Sequence, residues 1–132
     1  MTPSFQILFG GALGAGFVFL TRKVLGRREN DGYAIGLVVA ALIYVGFAGV
    51  WGTRGDLLAE LPGVLIFGIV AALGRWHSPW WLAVGWAAHV GWDVVLHPLD
   101  TAGHAPAWYP PVCIGFDLLV AAYLASRIRQ KA

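Results

Sequence analysis

Apolar residues run along this chain in five blocks, each bounded by charged residues, glycine or proline, and none alternates with polar positions at a strand's period of two. The first block is FQILFGGALGAGFVFL from Phe5, closed by Thr21, Arg22 and Lys23. The blocks predict helices over about residues 5–25, 32–51, 57–74, 79–97 and 110–126. Helices of that length match a hydrocarbon core of about 30 Å at about 1.5 Å per residue. Ser78 before Pro79 suits a helix start, because serine caps free N–H groups and proline at the first position forfeits no hydrogen bond. Pro98 blocks continuation past His97, Pro110 and Pro111 mark another first turn, and Pro62 is expected to bend the entrance of the third helix.

Composition places these helices in a membrane. The 132 residues are 58% hydrophobic and only 12% charged, with a mean hydropathy of +0.69, whereas an ordinary soluble domain is about 25% charged. The reading is an all-α polytopic protein of the cell membrane, a single integral domain of about five transmembrane helices. The first block does not read as a signal peptide, since its flank MTPS carries no lysine or arginine. Cys113 is the sole cysteine, so an internal disulfide is excluded.

The net charge of +2 does not point to nucleic acid, because the basic residues flank apolar blocks and form no separate basic domain. Eight of the nine, Arg22, Lys23, Arg27, Arg28, Arg75, Arg127, Arg129 and Lys131, fall on one side if the number of spans is odd, and only Arg54 lies opposite. The positive-inside rule then sets the N-terminus outside and the C-terminus in the cytoplasm. Membrane lipids are the implied surroundings. Gly10, Gly14, Gly11, Ala15, Gly32 and Gly36 give small residues at four-residue spacing, which lets helix backbones approach and leaves a homo-oligomer open. No internal repeat supports an inverted-repeat transporter.

Against this apolar background a polar stripe stands out. AAHVGWDVVLHP places His89, Asp93 and His97 four residues apart, each advancing only ~40° around a helix, so all three share a face. The fifth block carries Tyr109, Cys113 and Asp117 at the same spacing, and Glu60 falls within the third. An ionised group at the bilayer centre costs at least ~2.5 kcal/mol, so these groups are expected to face one another in the outer half of the membrane. His104, in TAGHAPAWYP, can fold over the opening, and Trp51, Trp92, Trp108 and Tyr109 are expected to rim it.

Imidazole nitrogen and carboxylate oxygen suit zinc or non-haem iron. In this reading His89, Asp93 and Asp117 hold the ion, His97 or His104 completes its shell, and Glu60 acts as general base on ion-bound water. HExxH is absent, so no zincin motif supports it. A purely structural alternative has His89 and Asp93 hydrogen-bonding Asp117 to join helices. Cys113 reads first as a small apolar residue, and the tryptophans near block ends read as interfacial anchors.

The stretch from His89, Trp92, Asp93 and His97 through Trp108, Pro110, Cys113 and Asp117 resembles a family of small bacterial integral membrane proteins of unknown function with a His-x-x-Trp-Asp motif. The resemblance covers the C-terminal third and implies the membrane class and the importance of these positions, without a substrate. A second histidine that the family pattern pairs near His97 is replaced here by Pro98. The functional expectation is a metal-dependent enzyme acting on a lipid-like, membrane-soluble substrate. Its rivals are a metal-free isomerase or cyclase in which Asp93 or Glu60 protonates a double bond, and a proton-coupled carrier or ligand-binding membrane protein.

Overall fold

A computed structural model describes residues 2–97 and 103–131, and these residues form five α-helices: α1 (Pro3–Leu25), α2 (Glu29–Trp51), α3 (Arg54–Trp76), α4 (Trp80–Leu96) and α5 (Tyr109–Lys131). The expected helix order is therefore present, with ends displaced by a few residues. Three helical stretches are long and apolar enough to cross a membrane: Pro3–Trp51, Arg54–Trp76 and Tyr109–Lys131. α4, at 17 residues, is the shortest of the five and reaches about 25 Å.

The first stretch reverses on itself. Gly26 has φ 54, in the left-handed region that costs a side-chain-bearing residue energy, and it closes α1 before a single 3₁₀ turn over Gly26–Arg28. Phe17 and Tyr33 would lie about 24 Å apart on one straight helix. Their ring centroids are instead 5.8 Å apart, so α1 and α2 fold back on each other.

Local sequence accounts for the other ends. Thr53 caps α3 by accepting from Asp56 N at 3.2 Å while the Asp56 carboxylate accepts from Thr53 N at 2.8 Å, a reciprocal capping box. Pro62 sits inside α3, which nonetheless runs unbroken to Trp76. Pro79 occupies the cap position of α4, and the Ser78 hydroxyl accepts from Trp80 N at 3.4 Å. The two prolines Pro110 and Pro111 lie in the first turn of α5 as expected. Pro98 lies outside the described residues, and α4 ends at Leu96.

In the packing, α1 lies on α5, α2 on α3, and α4 between α3 and α5. The α1–α5 seam is the tightest. A methyl group added at Gly10 would fall 1.9 Å from the Val112 carbonyl oxygen, and one at Gly115 would fall 1.8 Å from that of Ile7. The core between the helices is built from Leu37, Phe67, Leu82, Trp86, Val120 and Leu124 with small alanines around them. Large apolar side chains such as Leu8, Phe19, Val50, Leu65 and Val95 point outward, as expected of helices facing lipid.

One end of the bundle collects the basic residues. Arg75 of α3 and Arg28 both pair with Asp31, and Arg127 of α5 pairs with Glu29 and donates to Asn30. The hydroxyls of Tyr33 and Tyr123 donate to the Glu29 carboxylate at 2.9 and 3.1 Å, and the Arg22 guanidinium lies over the Tyr123 ring. The first loop, the α3–α4 turn and the C-terminal turn of α5 thus meet at the same end.

Candidate functional site

The predicted polar residues lie away from that basic end, and the structure brings them together as two groups. The inner group is His89 and Asp93 of α4 with Cys113 and Asp117 of α5, all buried, with one ligand atom from each within 4.8 Å of the others. Helical spacing explains the pairing: the i, i+4 stripe of α4 faces the i, i+4 stripe of α5 across their contact. His89 Nδ1 stands 2.7 Å from Asp117 Oδ2 and 3.6 Å from Asp93 Oδ1. The Phe67 ring meets the His89 ring edge-on at 4.8 Å, closing the apolar side.

The outer group is Glu60 of α3, His97 just past the end of α4, and His104 on the segment leading into α5, again with ligand atoms within 4.8 Å. His97 Nε2 lies 2.6 Å and His104 Nε2 3.0 Å from the same oxygen, Glu60 Oε1. The Trp92 indole donates to the other oxygen, Oε2, at 3.0 Å. Glycine at position 63 permits this contact, since an added methyl group would stand 2.7 Å from the Trp92 ring. On the outside, Asp56 Oδ1 is 3.7 Å from His104 Nδ1.

A single shell around His89, Asp93, Asp117, His97 and His104 is thus divided in the structure. The reason is local backbone. α4 stops at Leu96, and His97 turns away with φ −127 and ψ 62, so its ring leaves the line of His89 and Asp93 and meets Glu60. Glu60, expected to serve an ion at the inner group, is held by His97, His104 and Trp92.

Tyr44 of α2 joins the two groups, although it belongs to neither four-residue stripe of the sequence. It is fully buried, its hydroxyl donates to Asp93 Oδ1 at 2.6 Å, and its ring stacks on His97 with centroids 4.0 Å apart. The available signal was a tyrosine in the middle of the apolar run AALIYVGF, where interfacial anchoring is not an explanation. Of the aromatic residues expected at the rim, Trp92 bonds Glu60 and Tyr109 packs edge-on against Tyr44 at 5.3 Å, while Trp51 is stacked on Phe47 and mostly exposed.

The electrostatics are unbalanced. Asp93, Asp117 and Glu60 are at most 1% exposed, and among the described residues no lysine or arginine pairs with them. In the inner group two carboxylates share one imidazole. With both carboxylates ionised, even a protonated His89 leaves one excess negative charge, which burial opposes by several kcal/mol per ion and which either a further proton or a cation removes. Three polar atoms there, His89 Nε2, Asp93 Oδ2 and Asp117 Oδ1, have no hydrogen-bond partner among the described residues. Buried polar atoms are ordinarily paired, so the inner group has both the charge and the free valences for a cation.

Beside it lies an apolar chamber of about 300 Å³ between α1, α2, α4 and α5. Phe17, Val39, Ile43, Trp86, Trp108 and Phe116 line it, and Cys113 and Asp117 lie at its wall. Its volume is at the lower end of small-molecule sites. No protein-family profile, curated protein or solved structure matches this chain.

Proposed function

We propose that the chain is a multi-pass cell-membrane protein in which all five helices cross, with the N-terminus outside and the C-terminus cytoplasmic, and that its inner group binds a zinc or iron ion used on a lipid-like substrate. Membership of the small bacterial membrane family with the His-x-x-Trp-Asp motif belongs to the same proposal. The convergence of Arg28, Arg75 and Arg127 at one end supports the odd count, because an even number of crossings would separate the first loop from the C-terminal tail. α4 is short for a full crossing, but it is flanked by two 23-residue helices, α3 and α5, which shield its polar face.

The observation that carries the metal reading is the buried pair Asp93 and Asp117 around one histidine. A dication with neutral His89 and two ionised carboxylates brings the group to zero net charge, and one ligand atom from each of His89, Asp93, Cys113 and Asp117 already lies within 4.8 Å of the others. Such an ion acts as a Lewis acid or lowers the pKa of bound water. Cys113, buried beside these ligands, stands ready as a fourth donor. The adjoining chamber is almost entirely apolar in lining, which fits a hydrocarbon moiety from the membrane, with its reacting end at Asp117.

A second reading rests on a different observation. From half-exposed Asp56 through His104, Glu60, His97, Tyr44, Asp93 and His89 to Asp117, ionisable or hydroxyl groups follow one another inward. Series of such groups inside membranes mark proton relays, and although His97 meets Tyr44 through a ring stack and not a hydrogen bond, the series suits a metal-free acid/base enzyme or a proton-coupled carrier.

Metal analysis of detergent-purified protein tests the choice. The metal reading expects stoichiometric zinc or iron that is lost in His89→Ala while the protein stays folded. A parent prepared without chelator that remains metal-free after incubation with zinc or iron would sink it, and proton-dependent flux in liposomes would then favour the carrier.

A further inference from the structure

We infer that Glu60, His97 and His104 form a second divalent-cation site, separate from the inner group and open toward the end of the molecule that carries Asp56. Two histidines and one carboxylate make a donor set used by zinc and by non-haem ferrous iron, with coordination positions left free. The three residues come from three different parts of the chain, the second turn of α3, the end of α4 and the segment before α5. An ion there would staple those parts together.

The geometry around one oxygen supports this. His97 Nε2 is 2.6 Å from Glu60 Oε1, and among the described residues it meets no other polar atom as a hydrogen-bond partner. The His97 side chain is 4% exposed, so it is shielded from bulk solvent. One ligand atom from each of Glu60, His97 and His104 lies within 4.8 Å of the others, the clustering that a shared ion requires. With bonds of about 2.0–2.1 Å in a tetrahedral shell, zinc holds its ligand atoms about 3.3 Å apart, so the pairs at 2.6 and 3.0 Å need to open by about 0.7 and about 0.3 Å.

The surroundings are also those of a ligand shell. Trp92 Nε1 donates to Glu60 Oε2, leaving Oε1 to the histidines. Asp56 Oδ1 stands 3.7 Å from the far ring nitrogen of His104, Nδ1, where a carboxylate orients a ligating imidazole. The flat face of Tyr44 backs the His97 ring. In this arrangement Glu60 is a ligand, not a general base for the inner group. The two sites communicate through Tyr44, whose hydroxyl reaches Asp93.

Zinc stoichiometry and affinity in the full-length detergent-solubilised protein test the inference. His104→Ala and the near-isosteric Glu60→Gln are each expected to lower bound zinc by one equivalent per chain, and Trp92→Phe to weaken that equivalent about 10- to 100-fold. The double variant His89→Ala/Asp117→Asn is expected to retain the outer equivalent. His104 lies outside the helices, so its loss leaves them intact, and thermal melting of each variant confirms folding. Unchanged zinc stoichiometry and Kd in both His104→Ala and Glu60→Gln would overturn the outer site while leaving the inner one standing. An equivalent that survives the inner double variant and disappears on adding His104→Ala establishes the outer site even if the inner group binds nothing. Absence of zinc from parent and variants alike overturns both, and leaves His97–Glu60–His104 as an ion-paired tie between helices.

Discussion

The two ends of this bundle use the same acidic side chains in opposite ways. At the basic end, Glu29 and Asp31 are partly exposed and each faces an arginine, Arg127 or Arg75, whose charge is permanent. Toward the other end, Asp93, Asp117 and Glu60 are buried, and among the described residues their only ionisable basic partners are imidazoles, whose charge depends on conditions. In the first arrangement Glu29 accepts from Tyr33 and Tyr123 as well as Arg127, and among the described residues only Arg127 Nε there is buried without a partner. The second leaves His89 Nε2, Asp93 Oδ2, Asp117 Oδ1 and His97 Nε2 without hydrogen-bond partners. A fixed counter-charge makes a clamp. Imidazoles, whose charge varies, leave the second group open to the cation proposed above.

The comparison is broken most completely if the ends do not lie on opposite sides of a membrane. In a Cys113→Ala background, Gly103→Cys is expected to react with an impermeant thiol reagent from outside only, and Arg129→Cys from the cytoplasmic side only. Labelling of both from one face would overturn the five-span topology.

Next in size is the contrast between His89→Ala and Arg127→Ala. The first is expected to remove the inner metal ion almost entirely, because a ligand is lost while α4 keeps its other contacts. The second is expected to keep bound metal at the parent level and to lower stability by about 1–3 kcal/mol, the cost of leaving a partly buried acid without its charged partner. Metal content and melting temperature measured on the same samples separate the two. If Arg127→Ala also loses metal, the ends are coupled and the division into clamp and site fails.

Much of this division was legible in the chain. Four-residue spacing alone put His89 with Asp93 and Cys113 with Asp117, and short connections made α4 and α5 neighbours, which is why the inner group follows from periodicity. The glycines Gly10 and Gly14 likewise announced a close helix contact, although nothing in the spacing said that α5 would be the partner. Periodicity fails where a helix stops. His97 continues the stripe in sequence, but it lies beyond Leu96 with non-helical dihedrals and joins Glu60 and His104. Tyr44 was missed because a lone tyrosine has no period, and its meaning comes from Asp93 and His97, which reach it from another helix. The role of Glu29, Asn30 and Asp31 was hidden for the same reason, since their partners Arg75 and Arg127 lie far along the chain.

The smallest expected effect comes from the cap of α3, which lies beside the outer group without belonging to it. Thr53 and Asp56 satisfy each other's backbone N–H groups, and Asp56 also faces His104. Thr53→Ala removes the hydroxyl that accepts from Asp56 N and should cost about 1 kcal/mol, seen as a small fall in melting temperature and faster amide exchange over residues 54–57. Glu60 lies one turn further in and is held independently by Trp92, so zinc affinity is expected to stay within about twofold of the parent, whereas Asp56→Asn, which keeps the cap's shape but removes the charge beside His104, weakens it more. A Thr53→Ala loss of zinc as large as that of His104→Ala would mean that the cap and the site are one unit, and that α3 contributes to binding through its whole first turn rather than through Glu60 alone.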